Sequence, residues 1–456
     1  MISRILLLRF FSATLIVCAG CDKGVTNPQA SALHIADKTV LLATIADEGN
    51  PQPVAPSLGM GLHTPQATPV QPLFSKLGGG VAYSIDKNDK SYVVHNGRAG
   101  VAYDAVGSIA LSPDGSRVAH GALSGGKWRM VIDGSEGTPF STVKSPLFSP
   151  DGKHVVYQAM SGEKWFLVVD STPNAGTDTR ILDHTFSGDS AKIAYIDDAD
   201  DKNRGRLVIS DLSFSRQAVV SSGVSRMIVN QNGSRIAAIT QRGSNQHVVT
   251  CSFDRPDAVI SGSPYRAVNN LIFAPDGTAL AYSAERDSGH VMVFADREEL
   301  LPGNIVGTPA IRPDLKGVGT LIAKGGQFFF HSCFLEEGKN GQGYDEAEGL
   351  TYTVDSGVYA FAARRGNVWF IVIGGVDGTG FDRVVSPKFS PNGACLVYRA
   401  RKDGKRFVVI AKKTGKIIKQ LPAFEQIFDV GFTADGKSVA YGVKDGQKLM
   451  WRVDSL

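Results

Sequence analysis

The residues able to do chemistry in this 456-residue chain are few and dispersed. Histidines stand one by one at His34, His63, His95, His120, His154, His184, His247, His290 and His331, with no His-x-His or His-Glu-x-x-His pair of the kind that holds a catalytic metal. Beyond the N-terminal region only Cys251, Cys333 and Cys395 remain. Their wide spacing suits small side chains in strands, or one disulfide between two of them, and forms no metal-like cluster. The acidic run Asp197-Asp198-Ala199-Asp200-Asp201 lacks the glycine and terminal glutamate of a helix-loop-helix calcium loop and reads as a solvated turn. No Gly-x-Ser-x-Gly elbow is present; Gly188-Asp189-Ser190-Ala191-Lys192 lacks the last glycine. These patterns predict neither a metal nor a cofactor. A formal net charge of +4 is too small to argue for nucleic acid, and 43% hydrophobic residues exclude a chain disordered throughout.

The elements around these residues are repeated. Phe148-Ser149-Pro150-Asp151-Gly152-Lys153-His154-Val155-Val156-Tyr157 returns at Phe273 to Tyr282 and again at Phe389 to Tyr398, with further copies at Leu111 to His120, Phe186 to Tyr195, Val229 to Ala238, Ile311 to Thr320 and Phe432 to Tyr441. The turn pairs Asp114-Gly115, Asp151-Gly152, Asp276-Gly277, Asn392-Gly393 and Asp435-Gly436, with Asp189, Asn232, Asp314 and Asp355 marking the units between them, recur about every 40 residues. Proline presets one turn dihedral, glycine accepts positive φ, and Asp or Asn bonds its own backbone, so each pair marks a tight turn between β-rich runs. No stretch has helical periodicity. An all-β propeller over residues 74–456 follows, with eight blades the favoured number and seven to ten compatible with the markers.

This repeat resembles the TolB-like, WD40-like propeller repeat, also found in the non-catalytic propellers of prolyl-oligopeptidase-type enzymes. The resemblance implies fold rather than activity, because the shared residues are scaffold.

The N-terminus resembles a bacterial export leader. Arg4 and Arg9 flank short apolar runs, and Cys18-Ala19-Gly20-Cys21 resembles a lipobox, which implies cleavage after residue 20 and lipidation of Cys21. Residues 21–73 read as a lipidated N-terminus and proline-rich tether. Within it Thr39 to Ile45 is strand-like, able either to float or to complete a sheet contributed by the C-terminus. In the C-terminal part Arg399, Arg401, Lys402, Lys405, Arg406, Lys412 and Lys413 form a strongly basic stretch suited to an anionic partner.

The sequence therefore points to a non-catalytic, membrane-anchored propeller in the bacterial envelope, facing the periplasm or the exterior and binding an envelope protein or polymer, not nucleic acid. The alternative is an enzyme built from blade loops, such as a polysaccharide lyase or a lactonase-like hydrolase. Almost no chain outside the repeats is left for a separate catalytic domain.

Overall fold

The computed structural model describes residues 38–44, 50–52, 72–75, 78–335, 341–355, 357–433 and 435–456. The leader and Cys21 lie outside the described residues. Among those described, no helix is long and apolar enough to cross a membrane.

Successive strands pair antiparallel into nine hydrogen-bonded sheets. One of these has seven strands, because Gln217–Val229 is first the outer strand of one unit and then the inner strand of the next. Among the described residues the sheets therefore make ten blades: 73–99 with 50–52, 105–136, 142–173, 183–224, 224–261, 267–300, 304–333, 346–377, 383–420, and 426–455 with 38–44. Ten is the upper end of the expected range rather than the favoured eight. The first strands of neighbouring blades approach one another most closely, which places them around the axis.

Alternation along each strand sends one set of side chains to the preceding blade and the other to the following blade. In blade 3, Tyr157 packs with Met130 and Phe140 of the blade 2 side, while Val156 and Leu167 pack with Ile193 and Tyr195 of blade 4. Both faces are thus buried, and the strands read as nearly continuous apolar runs. The recurring turns lie at one end of the blades. Ser149 Oγ donates to Asp151 Oδ1 at 2.6 Å and Ser390 Oγ to Asn392 Oδ1 at 2.7 Å, with Gly152 and Gly393 at φ 73° and 71°. The same geometry holds at Asp114-Gly115 and Asp435-Gly436, and at Asp276-Gly277 the carboxylate accepts the Thr278 N–H at 2.9 Å.

The opposite end carries the hairpins between second and third strands. A second repeated device, not anticipated from the sequence, holds them. The acid following an aromatic residue at the start of a blade accepts an N–H from that blade's own hairpin: Asp104 from Gly125 at 3.1 Å, Asp345 from Gly366 at 2.7 Å, Asp382 from Asp403 at 2.8 Å. The preceding aromatic reaches across to the outer strand, as Tyr344 does to Asp377 at 2.9 Å while Arg365 holds the same carboxylate at 2.6 Å.

Ring closure comes from the N-terminal segment. Lys38–Thr44 pairs antiparallel with Lys448–Ser455 and becomes the outer strand of blade 10, and Asn50–Gln52 then pairs with the second strand of blade 1. Both strands fall within the segment read as tether. Phe74 of blade 1 lies 5.0 Å from the Phe428 ring and against Trp451. Gly442 is required there, since a Cβ would sit 3.0 Å from the Phe74 ring.

Ala43 is 4% exposed and packs among Val81, Tyr83, Ile85 and Leu449. Ala43→Asp puts a charge into this apolar seam and is expected to cost more than about 3 kcal/mol. Chemical denaturation measures it, and an unchanged midpoint would mean that the strand does not close the ring.

Candidate metal centre

Strand alternation brings His331 and Cys333, two residues apart on Gln327–Cys333 of blade 7, to one face. On the facing outer strand of blade 6, Arg297–Leu300, alternation divides two adjacent acids. Glu298 turns back to Tyr265 at 2.6 Å and Arg286, whereas Glu299 turns forward to blade 7. The ligand atoms of Glu299, His331 and Cys333 all lie within 4.8 Å of one another, with Glu299 Oε1 3.5 Å from His331 Nε2.

His331 and Cys333 are buried, whereas the Glu299 side chain is 25% exposed and forms the open side. The surroundings of Cys333 include Ala274, Phe294, Ile311 and Val318. Burial, and secondarily the Glu299 charge, push the thiol well above its ordinary range. The second Glu299 oxygen accepts the Phe334 N–H, which fixes the carboxylate while leaving Oε1 toward His331.

One imidazole nitrogen, one thiol sulfur and one carboxylate oxygen form a donor set for zinc, whose bonds of about 2.0–2.3 Å place tetrahedral ligands roughly 3.3–3.8 Å apart. The Glu299–His331 contact already has that spacing, and the sulfur needs at most about 1 Å of closure. Three protein ligands with one accessible side is the arrangement of catalytic rather than structural zinc sites. The expectation of no metal cluster is therefore corrected, because folding joins two repeats that sequence spacing keeps apart. The expectation of a non-catalytic protein, which rested on repeats that leave almost no chain for a separate catalytic domain, is corrected with it, because a cluster able to hold a metal gives the propeller itself catalytic potential.

Other predicted residues are placed differently. The turn residues are scaffold at the blade ends. The acidic run satisfies itself: Arg204 holds Asp200 at 2.7 Å, and Arg206 holds Asp197 at 3.2 Å. Cys251 and Cys395 are free thiols. The basic stretch divides into three. Arg399 turns inward to the Ile427 carbonyl and Ser386 Oγ, Lys412 and Lys413 lie at the turn end, where Lys413 pairs with Asp355, and Arg401, Lys402, Lys405 and Arg406 share the hairpin tip of blade 9.

At the axial strand of blade 4, burial raises the Asp183 carboxyl to about 6, against the opposing effects of the His184 N–H and Arg226. His184 beside it is lowered to about 4 by burial, and its Nε2 lies 2.9 Å from the Ser145 carbonyl.

No protein-family model and no curated relative matches the chain. Solved structures similar in fold include a eukaryotic initiation factor, at 12% identity and TM-score 0.44 over 76% of this chain and 97% of that one. An oligogalacturonate lyase in complex with manganese matches at 11% and 0.37 over 68% and 88%, and TolB from Acinetobacter baumannii at 14% and 0.27 over 76% and 79%. The likeness is thus to propellers of several kinds and not to TolB in particular. At these identities it bears on neither activity nor ligand.

Two outcomes follow. Glu299→Gln keeps an acceptor for the Phe334 N–H but loses the anionic ligand, so zinc affinity measured by competition with a chelator should fall at least about tenfold with little change in apo stability. Asp183→Asn removes a carboxyl whose folded pKa is raised. The folded wild type binds the extra proton between about pH 4 and 6, so its stability falls as pH rises through that window. The variant should therefore melt higher than wild type at pH 7 and equally below pH 4.

Proposed function

We propose that this chain is a metal-dependent hydrolase of the bacterial envelope, whose propeller serves as the frame of a zinc centre between blades 6 and 7. The convergence of Glu299, His331 and Cys333 carries the reading. A thiolate ligand favours zinc over the harder metals that suit all-oxygen sites, and zinc supports hydrolysis by lowering the pKa of a bound water to near 7. That chemistry favours a lactonase-like activity over elimination by a polysaccharide lyase. Water adds across the acyl C–O bond, its oxygen to the carbonyl carbon and its proton to the leaving alkoxide.

The chain's own residues have defined parts in this reading. Phe334 N–H holds the Glu299 carboxylate in place. The apolar wall from Phe294 to Val318 limits water around the buried ligands and strengthens their interaction with a cation. Glu299, at the open side, marks the direction of substrate entry.

The envelope placement rests on the leader and on Cys21, whose lipidation would attach the body through residues 22–37 to the start of the closing strand at Lys38.

Cobalt loading followed by absorption spectroscopy tests the centre, and a panel of lactones and aryl esters tests the activity. The full chain should show one cobalt per chain with a thiolate-to-cobalt charge-transfer band, and turnover that a chelator abolishes. Cys333→Ser and His331→Ala should lose both. A wild type that takes up no cobalt, or turnover unchanged in both variants, would overturn the reading.

A further inference from the structure

Arg297, beside the candidate centre, forms no salt bridge with any carboxylate among the described residues. Alternation along Arg297–Leu300 sends Arg297 and Glu299 to one face. Glu299 stands opposite Met292 and Arg297 opposite Phe294, and both of those partners pack toward blade 7. Two residues along a strand, the Cα atoms of Arg297 and Glu299 are about 7 Å apart. The Arg297 guanidinium lies 5.7 Å from the centre of the Phe294 ring and 4.9 Å from that of Phe334, the residue whose N–H holds Glu299. Two aromatic rings thus orient a side chain that is otherwise exposed to solvent.

The charged groups around it are committed elsewhere. Glu298 alternates to the opposite face, where it binds Tyr265 and Arg286. Asp296, in the turn just before the strand, makes no ion pair with Arg297. On blade 7, Asp314 is paired with Arg312 at 3.0 Å, and Glu299 faces His331. Metal ligation requires Glu299 as carboxylate and Cys333 as thiolate, and these two anions neutralise a dication between them. The Arg297 guanidinium is then the uncompensated charge next to the open side of the centre.

A guanidinium presents a planar fork of donors that matches a carboxylate. With Arg312 tied to Asp314, no second free cation stands beside Arg297 to meet the double charge of a phosphate. We infer that Arg297 is a substrate-binding residue of this centre, and that the lactone or ester hydrolysed there carries a carboxylate which Arg297 holds beside the reacting acyl group. This rests on the reading of Glu299, His331 and Cys333 as a zinc centre.

Titration of the cobalt-loaded full chain with succinate and with monomethyl succinate, followed through the thiolate-to-cobalt band, tests it beside the variant R297Q. The two ligands have one metal-binding carboxylate in common and differ in the charge of the other end. In wild type, succinate should reach half-saturation at a concentration at least about fivefold lower than its monomethyl ester, the scale of one exposed guanidinium–carboxylate pair. Raising the salt should shrink that preference. R297Q should take up cobalt as wild type does, because Arg297 supplies no ligand, and should bind the two compounds equally. Absence of the band in wild type would overturn the zinc centre and this inference with it. A normal band with equal half-saturation for the two compounds in wild type, as an acid of the chain already seated on Arg297 would produce, would overturn this inference alone. So would a preference for succinate that survives in R297Q.

Discussion

Face-to-face burial between blades is the constraint on which this structure depends. A single four-stranded blade would expose both apolar faces, and here each face is covered only by a neighbour. Tyr157, Tyr195, Tyr282, Tyr398 and Tyr441 are all buried at equivalent places on second strands, every one within an interface rather than within a sheet. Such a stack has two exposed ends unless it closes. Lys38–Thr44 removes that liability by completing blade 10 with chain from before blade 1, while Phe74 locks into the space above Gly442. Closure thus ties Lys38–Thr44 to the last strand, Lys448–Ser455.

Much of this architecture was legible because its determinants are local. The Ser-Pro-Asp-Gly turns announce themselves through residue type: a side-chain acceptor two residues beyond a hydroxyl, followed by a glycine at positive φ. What escaped was local chemistry of less distinctive composition. The aromatic-acid pairs Tyr344-Asp345 and Phe381-Asp382 recur at blade starts, yet nothing in the residue types shows that the acid caps a hairpin about 20 residues later. Blade number was less legible for another reason. Gln217–Val229 carries two strands with no turn between them, so nothing in its residue types marks where one blade stops and the next begins.

The metal centre shows the limit of spacing arguments in a ring. His331 and Cys333 are an i, i+2 pair on a strand, and that much was readable as a shared face. Glu299 belongs to the preceding repeat, where it follows Glu298. Only the alternation of Arg297–Leu300, with Glu298 committed to Tyr265, determines that Glu299 faces blade 7. A search for ligands within one repeat cannot find a site made where two repeats meet. The useful test in such folds is therefore to pair outer-strand acids with third-strand donors one repeat later.

The candidate centre lies between outer strands rather than at the axis. The axial strands of a ten-blade ring turn by about 36° per blade, so the wedge between neighbours opens outward. On the axial strand of blade 4, buried His184 is neutral at neutral pH and half-buried Asp183 is costly to ionise. Toward the periphery the ligand atoms of Glu299, His331 and Cys333 converge between two outer strands whose own pairing stays intact. Glu299 is tied to the Phe334 N–H across that wedge, so it already draws the blades together at this point. Bound metal would add to the same contact, making occupancy of the centre and cohesion of the blade 6–7 interface two aspects of one equilibrium. The basic tip of blade 9 stands apart from that contact, and its Arg406 bonds the Glu425 carbonyl at the start of blade 10.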